Sequence, residues 1–233
     1  MKAIVLAGSR GIGKGIADSL EQIDIDVTRT STKELDTSKI DQVERFIEKN
    51  PYTDILVLNT GGPPAKDFYD TGGPMSQKFK DITKEDCNKY HNQIFYSFFK
   101  MIQEIKISDG GFIFLVSSFN VKEPDGKLLL SNAYRLAFIS VLKCLSKEFA
   151  KRNITTINIA PGPIDTDRIR GLCSDIPALE NRLPLGRLGQ VEEIGNFVKS
   201  IVKENIKYLT GVTINFDGGK SNFICNLCRF ARI

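Results

Sequence analysis

Short apolar runs alternate with longer amphipathic stretches along the chain, and this alternation limits the folds that the sequence can adopt. The short runs are nearly continuous, as in strands buried on both faces of a sheet. The longer stretches repeat apolar residues at helical spacing. The sequence therefore predicts an α/β fold with one doubly wound parallel β-sheet and helices on both faces. The predicted strands are 2–7, 25–30, 54–60, 111–118, 155–160 and 211–216, and the predicted helices are 11–22, 38–50, 84–105, 131–152 and 191–204.

Length and composition narrow the class of protein. A chain of 233 residues suits one compact α/β domain, and without a linker or repeat we predict a single domain over 1–233. The net charge of +4, from 32 basic and 28 acidic residues, is too small and dispersed to indicate nucleic acid. No apolar run approaches the roughly 20 residues that span a bilayer. We expect a cytoplasmic protein with no nucleic-acid or membrane partner.

The cysteines and the single histidine argue against several kinds of site. The five cysteines are scattered and odd in number, which is typical of free thiols in a reducing compartment. Cys225 and Cys228 form one CxxC, but a zinc site would need two more ligands, so we expect no metal. With His91 as the only histidine, most Ser-His-Asp and Cys-His schemes are excluded.

A glycine-rich loop follows the first predicted strand and leads into a helix. In this context the glycines allow a tight turn and a close approach of the backbone to a pyrophosphate at the helix N-terminus. A plain turn is the alternative interpretation. The loop predicts a dinucleotide-binding segment of Rossmann type made of Ala7, Gly8, Ser9, Arg10, Gly11, Ile12 and Gly13.

The end of the second predicted strand bears on the choice of cofactor. Sites for NAD usually carry an acidic residue there, to bond the ribose 2′-hydroxyl. This chain has Arg29 instead, and Arg10 lies in the glycine loop. Two guanidinium groups suit a 2′-phosphate, although both arginines could simply face solvent. We expect NADP(H) to be preferred, with NAD(H) not excluded.

Five further motifs follow the glycine loop in order. They are "NTGG" (59–62), "VSS" (116–118), "PGPIDTD" (161–167), "PLGRLG" (184–189) and "TGVTINFDGG" (210–219). Together they resemble the short-chain dehydrogenase/reductase family, especially members similar to 3-oxoacyl-acyl-carrier-protein reductase. The resemblance covers nearly the whole chain.

The resemblance implies an oxidoreductase with a nicotinamide cofactor and a small carbonyl or alcohol substrate. Ser118 would position the substrate carbonyl, and residues 163–190 would form a substrate lid. Relatives commonly assemble as tetramers through the helices 84–105 and 131–152, so a homo-oligomer is expected. The implied cofactor contacts are Asn59 and Gly61 at the adenosine ribose, Asp36 at the adenine, and Pro161, Gly162, Ile164 and Thr166 at the nicotinamide end.

The helix after Ser118 departs from the family pattern. The family carries Tyr-x-x-x-Lys there, and aligning 141–150 puts Ser131 and Arg135 at the Tyr and Lys places. Ser131 is predicted to cap the helix, on one side with Tyr134 and Arg135. Arginine can bind ribose but cannot release a proton at neutral pH, and serine is a far weaker acid than a phenol. The expected site therefore uses Ser118, Tyr134 and Arg135, with Ser131 in support.

Several features leave the function open. The stretch Thr30–Ser38 is short for the family, which indicates a lost helix or a trimmed edge of the sheet. Asn92 is an uncertain match to an asparagine that often joins the family's catalytic set. The favoured function is a carbonyl reductase or alcohol dehydrogenase. The alternatives are an NADP(H)-binding sensor or scaffold without hydride transfer, and an enzyme that keeps the cofactor but catalyses epimerisation or elimination.

Overall fold

The computed structural model describes residues 1–63 and 81–222, together with the backbone of 66–67 and 77–78. Its centre is a six-stranded sheet with the order β2-β1-β3-β6-β7-β8, in which every pair is parallel. This confirms the predicted doubly wound architecture. The strands are β1 (Lys2–Val5), β2 (Asp26–Arg29), β3 (Tyr52–Leu58), β6 (Lys106–Val116), β7 (Thr155–Pro161) and β8 (Val212–Phe216).

Helices cover both faces of the sheet, because the strands present apolar side chains on both sides. One core holds α1 and α8 against the sheet through Leu20 and Val198, and the other holds α2, α4 and α5 through Val43, Phe98 and Phe138. The helices are α1 (Gly11–Glu21), α2 (Ile40–Lys49), α3 (Lys84–His91), α4 (Ser97–Glu104), α5 (Leu129–Ala150), α6 (Asp167–Leu172), α7 (Ile176–Glu180) and α8 (Val191–Lys203).

The helix predicted over 84–105 is interrupted. A π-helical turn, Asn92–Tyr96, separates α3 from α4. Such turns insert an extra residue into a helix and often occur at functional sites. The turn begins at Asn92, whose side chain donates to the carbonyl of Ser38 at 3.4 Å. The prediction of one regular helix was wrong at this point.

The structure bears on two predictions about the sheet, its trimmed edge and the bounds of its strands. Strand β2 is the sheet's edge, and the residues that connect it to α2 form turns with no helix or strand, which agrees with the trimmed edge inferred from Thr30–Ser38. Strand β6 begins at Lys106, five residues before the predicted start, and ends at Val116, so Ser117 and Ser118 lie beyond it. The other strands begin and end within two residues of their predicted bounds.

Two short strands, β4 (Lys66–Asp67) and β5 (Gln77–Lys78), pair with each other in a separate parallel sheet. They belong to the Gly- and Pro-rich stretch 61–77, most of which lies outside the described residues. The CxxC formed by Cys225 and Cys228 also lies outside them.

Helix α5 is unusually apolar. The segment Gly126–Ala150 is long and apolar enough to cross a membrane by length and composition, although core helices of soluble proteins pass the same test. In the structure it packs on the sheet through Phe138 and Leu142, which are buried. Its opposite side carries exposed apolar residues, including Leu136 at 51% exposure. The hydropathy of the helix therefore comes from both its buried and its exposed side.

The predicted lid, 163–190, contains α6 and α7 and is fastened at its far end. Arg187 forms two bonds with Glu193 of α8, at 2.9 and 2.8 Å. The Glu193 carboxylate also accepts from the backbone N–H of Gln190 at 2.7 Å. The guanidinium and this N–H lower the pKa of Glu193 to about 2. The lid therefore ends in an ion pair that also caps α8.

We predict that Glu193→Gln destabilises the protein by about 0.5–1 kcal/mol at pH 7, because an exposed ion pair contributes roughly that much. The carboxyl has a lower pKa folded than unfolded, so its contribution is complete above pH 4.5 and is lost as the pH falls towards 2. Denaturant unfolding of both proteins between pH 7 and 3 should show the difference narrowing below pH 4.5.

The matched control is Glu192→Gln, since Glu192 lies in the same turn and forms no ion pair with a described residue. Equal effects of the two substitutions, or a difference that does not change with pH, would contradict the role given to Glu193.

Candidate active site

The loop after β1 has the strained backbone of a tight turn. Gly11 has φ +55°, and Ala7 has φ +48°, in the left-handed region that costs an alanine roughly 1–2 kcal/mol. The N–H of Ala7 donates to the Thr30 hydroxyl at 3.0 Å, which helps to hold this conformation. Strain of this kind persists where the surrounding structure requires it, and it often marks a functional loop.

The turn brings the loop close to the end of β3. A Cβ on Gly13 would lie 2.2 Å from the carbonyl oxygen of Ala7 and 2.7 Å from Nδ2 of Asn59, so only glycine fits there. At the start of α1, Arg10 makes no side-chain cap, and the first turn holds no acidic residue. The backbone N–H groups of this turn are therefore open to an anion. The geometry fits the pyrophosphate of a dinucleotide.

The segment after β7 reaches the same loop. Gly162 donates to the carbonyl of Phe216 at 3.0 Å, which continues the pairing of Pro161 with β8. Further on, Cγ2 of Thr166 lies 3.4 Å from the place that a Cβ on Gly11 would take. Ile164 is buried and bridges to Gly189. Thus the structure brings Thr166, one of the residues assigned to the nicotinamide end, to the glycine loop.

Arg29 lies at the end of β2, as predicted, but it is already paired. Its guanidinium bonds Asp18 at 2.6 Å and Glu21 at 2.5 Å, both on α1. These carboxylates raise the pKa of Arg29. Arg10 is exposed. The two arginines therefore differ in how readily they could bind a 2′-phosphate. At Arg29, a 2′-phosphate would compete with two carboxylates.

The other residues assigned to the adenosine half lie on neighbouring loops. The Asp36 carboxylate accepts from the backbone N–H and the hydroxyl of Ser38, at 3.0 and 2.7 Å. The carbonyl of Gly61 accepts from Nε2 of Gln93 at 2.9 Å, and the same nitrogen reaches the Thr60 hydroxyl at 3.3 Å. Gln93 is a contact that the sequence analysis missed. It lies in the π-helical turn, which explains how a helix residue reaches this loop.

Ser118 follows the end of β6 and remains partly accessible. Its hydroxyl oxygen accepts from the N–H of Asn120 at 3.3 Å, which starts a short 3-10 turn over Phe119–Val121. The neighbouring Ser117 is buried and donates to the carbonyl of Ile159. Of the two serines, Ser118 is therefore the one whose O–H is not already donated to a described acceptor and can donate to a ligand.

The predicted cap at Ser131 was wrong. Helix α5 begins two residues earlier, at Leu129, and Leu128 occupies the cap position without a side-chain bond. A 3-10 turn capped by Asp125 precedes the helix and starts it early. Ser131 is therefore inside the first turn and is buried. Its hydroxyl oxygen accepts from Nε of Arg135 at 3.2 Å.

The Arg135 side chain is buried and is held by backbone carbonyls. Nη1 donates to Val116 at 2.9 Å, and Nη2 donates to Thr60 at 3.2 Å. Loss of hydration lowers the pKa of Arg135 to about 10, and the charge of Arg168 acts in the same direction. The side chain remains a cation at neutral pH. It sits where the carboxyl ends of β3 and β6 meet α5.

Tyr134 does not join Ser131 and Arg135. Its hydroxyl donates to the carbonyl oxygen of Cys87 in α3 at 3.0 Å, and its ring contacts His91 edge-on. Burial raises the pKa of Tyr134 further above its ordinary value. The expected cluster of three side chains on one side of the helix is thus reduced to Ser131 and Arg135, because α3 takes the tyrosine.

Arg168 is a second residue that the sequence analysis missed. It extends from α6 and donates to the carbonyls of Gly62 and Pro63, at 3.0 and 2.9 Å. It directly follows the "PGPIDTD" segment (161–167) and comes two residues after Thr166. That placement was the available signal, since the segment was already assigned to the nicotinamide end.

The described part of the chain contains no candidate site for a metal ion. Within residues 1–63 and 81–222, no group of three or more His, Cys, Asp or Glu side chains could hold a metal ion.

Comparisons with known proteins agree with this geometry. A family profile described as enoyl-(acyl carrier protein) reductase, of the short-chain alcohol dehydrogenase type, matches residues 36–221. The 3-oxoacyl-(acyl-carrier-protein) reductase FabG of Escherichia coli (strain K12) is 28% identical over 241 residues, which cover 93% of this chain and 96% of that protein.

Two solved structures share the fold. A short chain dehydrogenase family protein from Francisella tularensis subsp. tularensis SCHU S4 aligns with a TM-score of 0.80 at 22% identity, covering 94% of this chain and 98% of that one. A small-chain dehydrogenase in complex with NADPH aligns with a TM-score of 0.77 at 23% identity, with coverage of 94% and 98%. The family profile and the fold together show that the chain belongs to the short-chain dehydrogenase/reductase family of NAD(P)-dependent oxidoreductases.

Proposed function

We propose that the chain is an NADP(H)-dependent carbonyl reductase or alcohol dehydrogenase that acts on a small molecule through a rebuilt catalytic helix. In the reducing direction, a carbonyl compound, NADPH and a proton give an alcohol and NADP⁺. Bound NADP(H) would supply the hydride. The name of the Escherichia coli relative supports a 3-oxoacyl thioester as one candidate substrate.

The observation that carries the proposal is the bond between Ser131 and buried Arg135 at the ends of β3 and β6. Aligned with the family pattern, the pair stands at the places of the usual Tyr and Lys. Ser131 accepts from Arg135, so its own O–H is left to donate to a carbonyl oxygen. Ser118 offers a second hydroxyl from the end of β6. Donors aimed at the oxygen where charge develops stabilise the transition state.

The guanidinium changes how the proton is supplied. Arg135 stays charged and stabilises negative charge on the substrate oxygen, but it does not release a proton. The Tyr134 hydroxyl is engaged with Cys87. We therefore assign electrostatic stabilisation to Ser131 and Arg135, with water as the final source of the proton.

The alternative is an NADP(H)-binding sensor or scaffold. It is favoured by one observation, namely that the Tyr134 phenol is bonded to α3 and not to the Ser131–Arg135 pair. An assay of NADPH oxidation separates the two functions. Turnover of any carbonyl supports the enzyme, whereas a change in NADPH fluorescence on binding, without turnover, supports the sensor. Product formed without net oxidation of the nicotinamide would instead indicate epimerisation or elimination.

We predict that Ser131→Ala and Ser118→Ala each lower kcat about 100-fold, because removing one donor to a developing oxyanion has effects of that order. Tyr134→Phe should change kcat less than about threefold, since its hydroxyl bonds α3. The measurement is NADPH oxidation against a panel of a β-ketoacyl thioester, simple ketones, aldehydes and aldose-derived keto compounds.

Ser200→Ala is the control, because Ser200 is exposed on α8 and donates to the carbonyl of Asn196 in its own helix. A large loss of kcat in Tyr134→Phe, with Ser131→Ala near normal, would make Tyr134 the acid and overturn the role of Ser131.

We also propose that NADP(H) is preferred over NAD(H). Support comes from Arg29 at the end of β2, from exposed Arg10 in the glycine loop, and from the NADPH bound to one structural neighbour. A charge-assisted bond from a guanidinium to the 2′-phosphate would offset the loss of the Asp18 and Glu21 pairs.

We predict that Arg29→Ala raises KM for NADPH about tenfold and leaves KM for NADH within about twofold, because NADH lacks the 2′-phosphate. Steady-state kinetics with both cofactors measure the effect. Arg45→Ala is the control, since Arg45 also forms an exposed ion pair, with Asp41 on α2.

Equal changes in KM for both cofactors would contradict the proposal, because Arg29 would then act only as an ion-pair partner of α1.

We further propose that the protein forms a homo-oligomer through the outer face of α5. The exposed residues of this face recur at helical spacing. They are Ala133, Leu136, Ala137, Ser140 and Cys144. Small and apolar side chains along one stripe allow close contact between two helices. A second copy of the chain would remove Leu136 from water.

We predict that Leu136→Glu lowers the oligomeric state, because it places a charge in the proposed helix contact. Sedimentation velocity or light scattering of the purified protein measures the change. Tyr208→Glu is the control, since Tyr208 is fully exposed far along the chain, after α8. A wild-type monomer, or an unchanged oligomer in Leu136→Glu, would contradict the assignment of this face.

A further inference from the structure

Arg168 and Arg135 approach each other from different elements. Arg168 comes from α6 at the start of the lid, and Arg135 comes from the second turn of α5. Between them lies Gly62, where a Cβ would be 2.9 Å from Nη2 of Arg168 and 3.4 Å from the hydroxyl oxygen of Ser131. The charge of Arg168 also acts on Arg135. The two guanidinium groups and Ser131 therefore form one cluster around Gly62.

The cluster holds two cations with neutral partners. The acceptors are the backbone carbonyls of residues 60, 62, 63 and 116 and the hydroxyl of Ser131. Among the described residues, no carboxylate contacts either guanidinium. Each arginine has five N–H donors, of which Arg135 uses three and Arg168 uses two. Charges removed from water are normally paired with an opposite charge, and the described residues supply none to this cluster.

The described acidic residues nearest to the cluster along the chain pair elsewhere, are exposed or cap a helix. Asp165 pairs with Arg170 at 2.6 Å, and Asp167 is exposed. On α3, Asp86 caps the helix through Thr83. Tyr90 is close enough for the charge of Arg168 to act on its hydroxyl, but a phenol is neutral at pH 7. The protein's own described carboxylates therefore leave the cluster positively charged.

The cofactor has other donors for its phosphates. The start of α1 is open for a pyrophosphate, and Arg10 and Arg29 lie at the adenosine half. The arginine cluster instead adjoins Ser131, which stands at the catalytic helix, and it lies at the ends of β3 and β6. Ser118, which would position the carbonyl, follows β6. The anion that suits the remaining N–H donors of the cluster is therefore one carried by the substrate.

We propose that Arg168, next to the charge of Arg135, binds a carboxylate group of the substrate, so that the enzyme reduces a short oxo-carboxylic acid or oxidises the matching hydroxy acid. The assignment rests on the proposed function, and it names the substrate class of the same site. A guanidinium pairs with a carboxylate through two parallel bonds, which would fix the substrate's orientation as well as its position. Arg168 is a specificity residue, because it acts on the carboxylate and not on the reacting carbonyl.

The first test compares acetoacetate with its neutral methyl ester in NADPH-dependent reduction. We expect kcat/KM to be at least tenfold higher for the acid. Arg168→Met should lower kcat/KM for the acid about 30-fold or more and leave the ester within about twofold. The control is Arg170→Met, because Arg170 lies on the same short helix and is exposed. An equal loss for acid and ester would mean that Arg168 only holds the loop at Gly62 and Pro63, and would overturn the proposal.

The second test does not depend on turnover. Titration calorimetry should show malonate binding to the NADP⁺ complex with a Kd below about 1 mM, and no such binding in Arg168→Met. Should Arg168→Met not fold, Arg168→Lys replaces it and is expected to weaken malonate about tenfold, since lysine keeps the charge but loses the bidentate geometry.

The outcomes separate the two proposals. Malonate binding without turnover of any carbonyl would leave the carboxylate site standing and refute the reductase. No malonate binding to the NADP⁺ complex, or malonate that binds only the free protein and competes with NADP⁺, would overturn the carboxylate site, because the anion would then be a cofactor phosphate.

Discussion

The buried guanidinium of Arg135 is the interaction on which the site depends. It ties α5 to the ends of two strands by donating to carbonyls at Thr60 and Val116. Thr60 lies two residues past the end of β3 and Val116 is the last residue of β6, where a buried acceptor without a partner would cost free energy. A lysine offers one nitrogen, whereas the planar fork of arginine reaches both carbonyls and Ser131 at once. The position of Ser118, two residues after Val116, follows from this anchor.

Much of the fold was predictable because burial on both faces makes the strands continuous apolar runs. The early start of β6 was not, since it depends on pairing of Lys106 and Ile107 with Tyr52 and Thr53 of β3. The register then shifts, and pairing with β3 resumes only at Phe112. The π-helical turn at Asn92 was also hidden, because its apolar residues fit regular helical spacing over so short a stretch. Both failures arise where contacts distant in sequence override the local pattern.

The residues of the site also divide into those whose placement depends on local sequence and those whose placement depends on contacts distant in sequence. The glycine loop was predictable because its constraint is local: Gly13 has no room for a Cβ. The partners of Arg29 and Tyr134 are set by α1 and α3, and residue type alone does not show that Tyr134 bonds Cys87. Arg168 was overlooked because a charged residue in a polar segment resembles a solvated surface residue. Its burial appears only when Gly62 and Pro63 fold against it.

The segment 163–190, which is the predicted substrate lid, is held at its two ends. Arg168 fixes its start to the loop after β3, Ile164 bridges to Gly189, and Arg187 fixes its end to α8. The hydrogen bonds described for residues 173–186 join them only to other residues of this segment. Among these residues, the Leu183 side chain is buried. Opening the site by moving this middle part would leave both guanidinium groups in place. The charged end of a substrate would then meet a rigid surface, while its remainder would meet an adaptable one, so charge would discriminate between substrates more sharply than size.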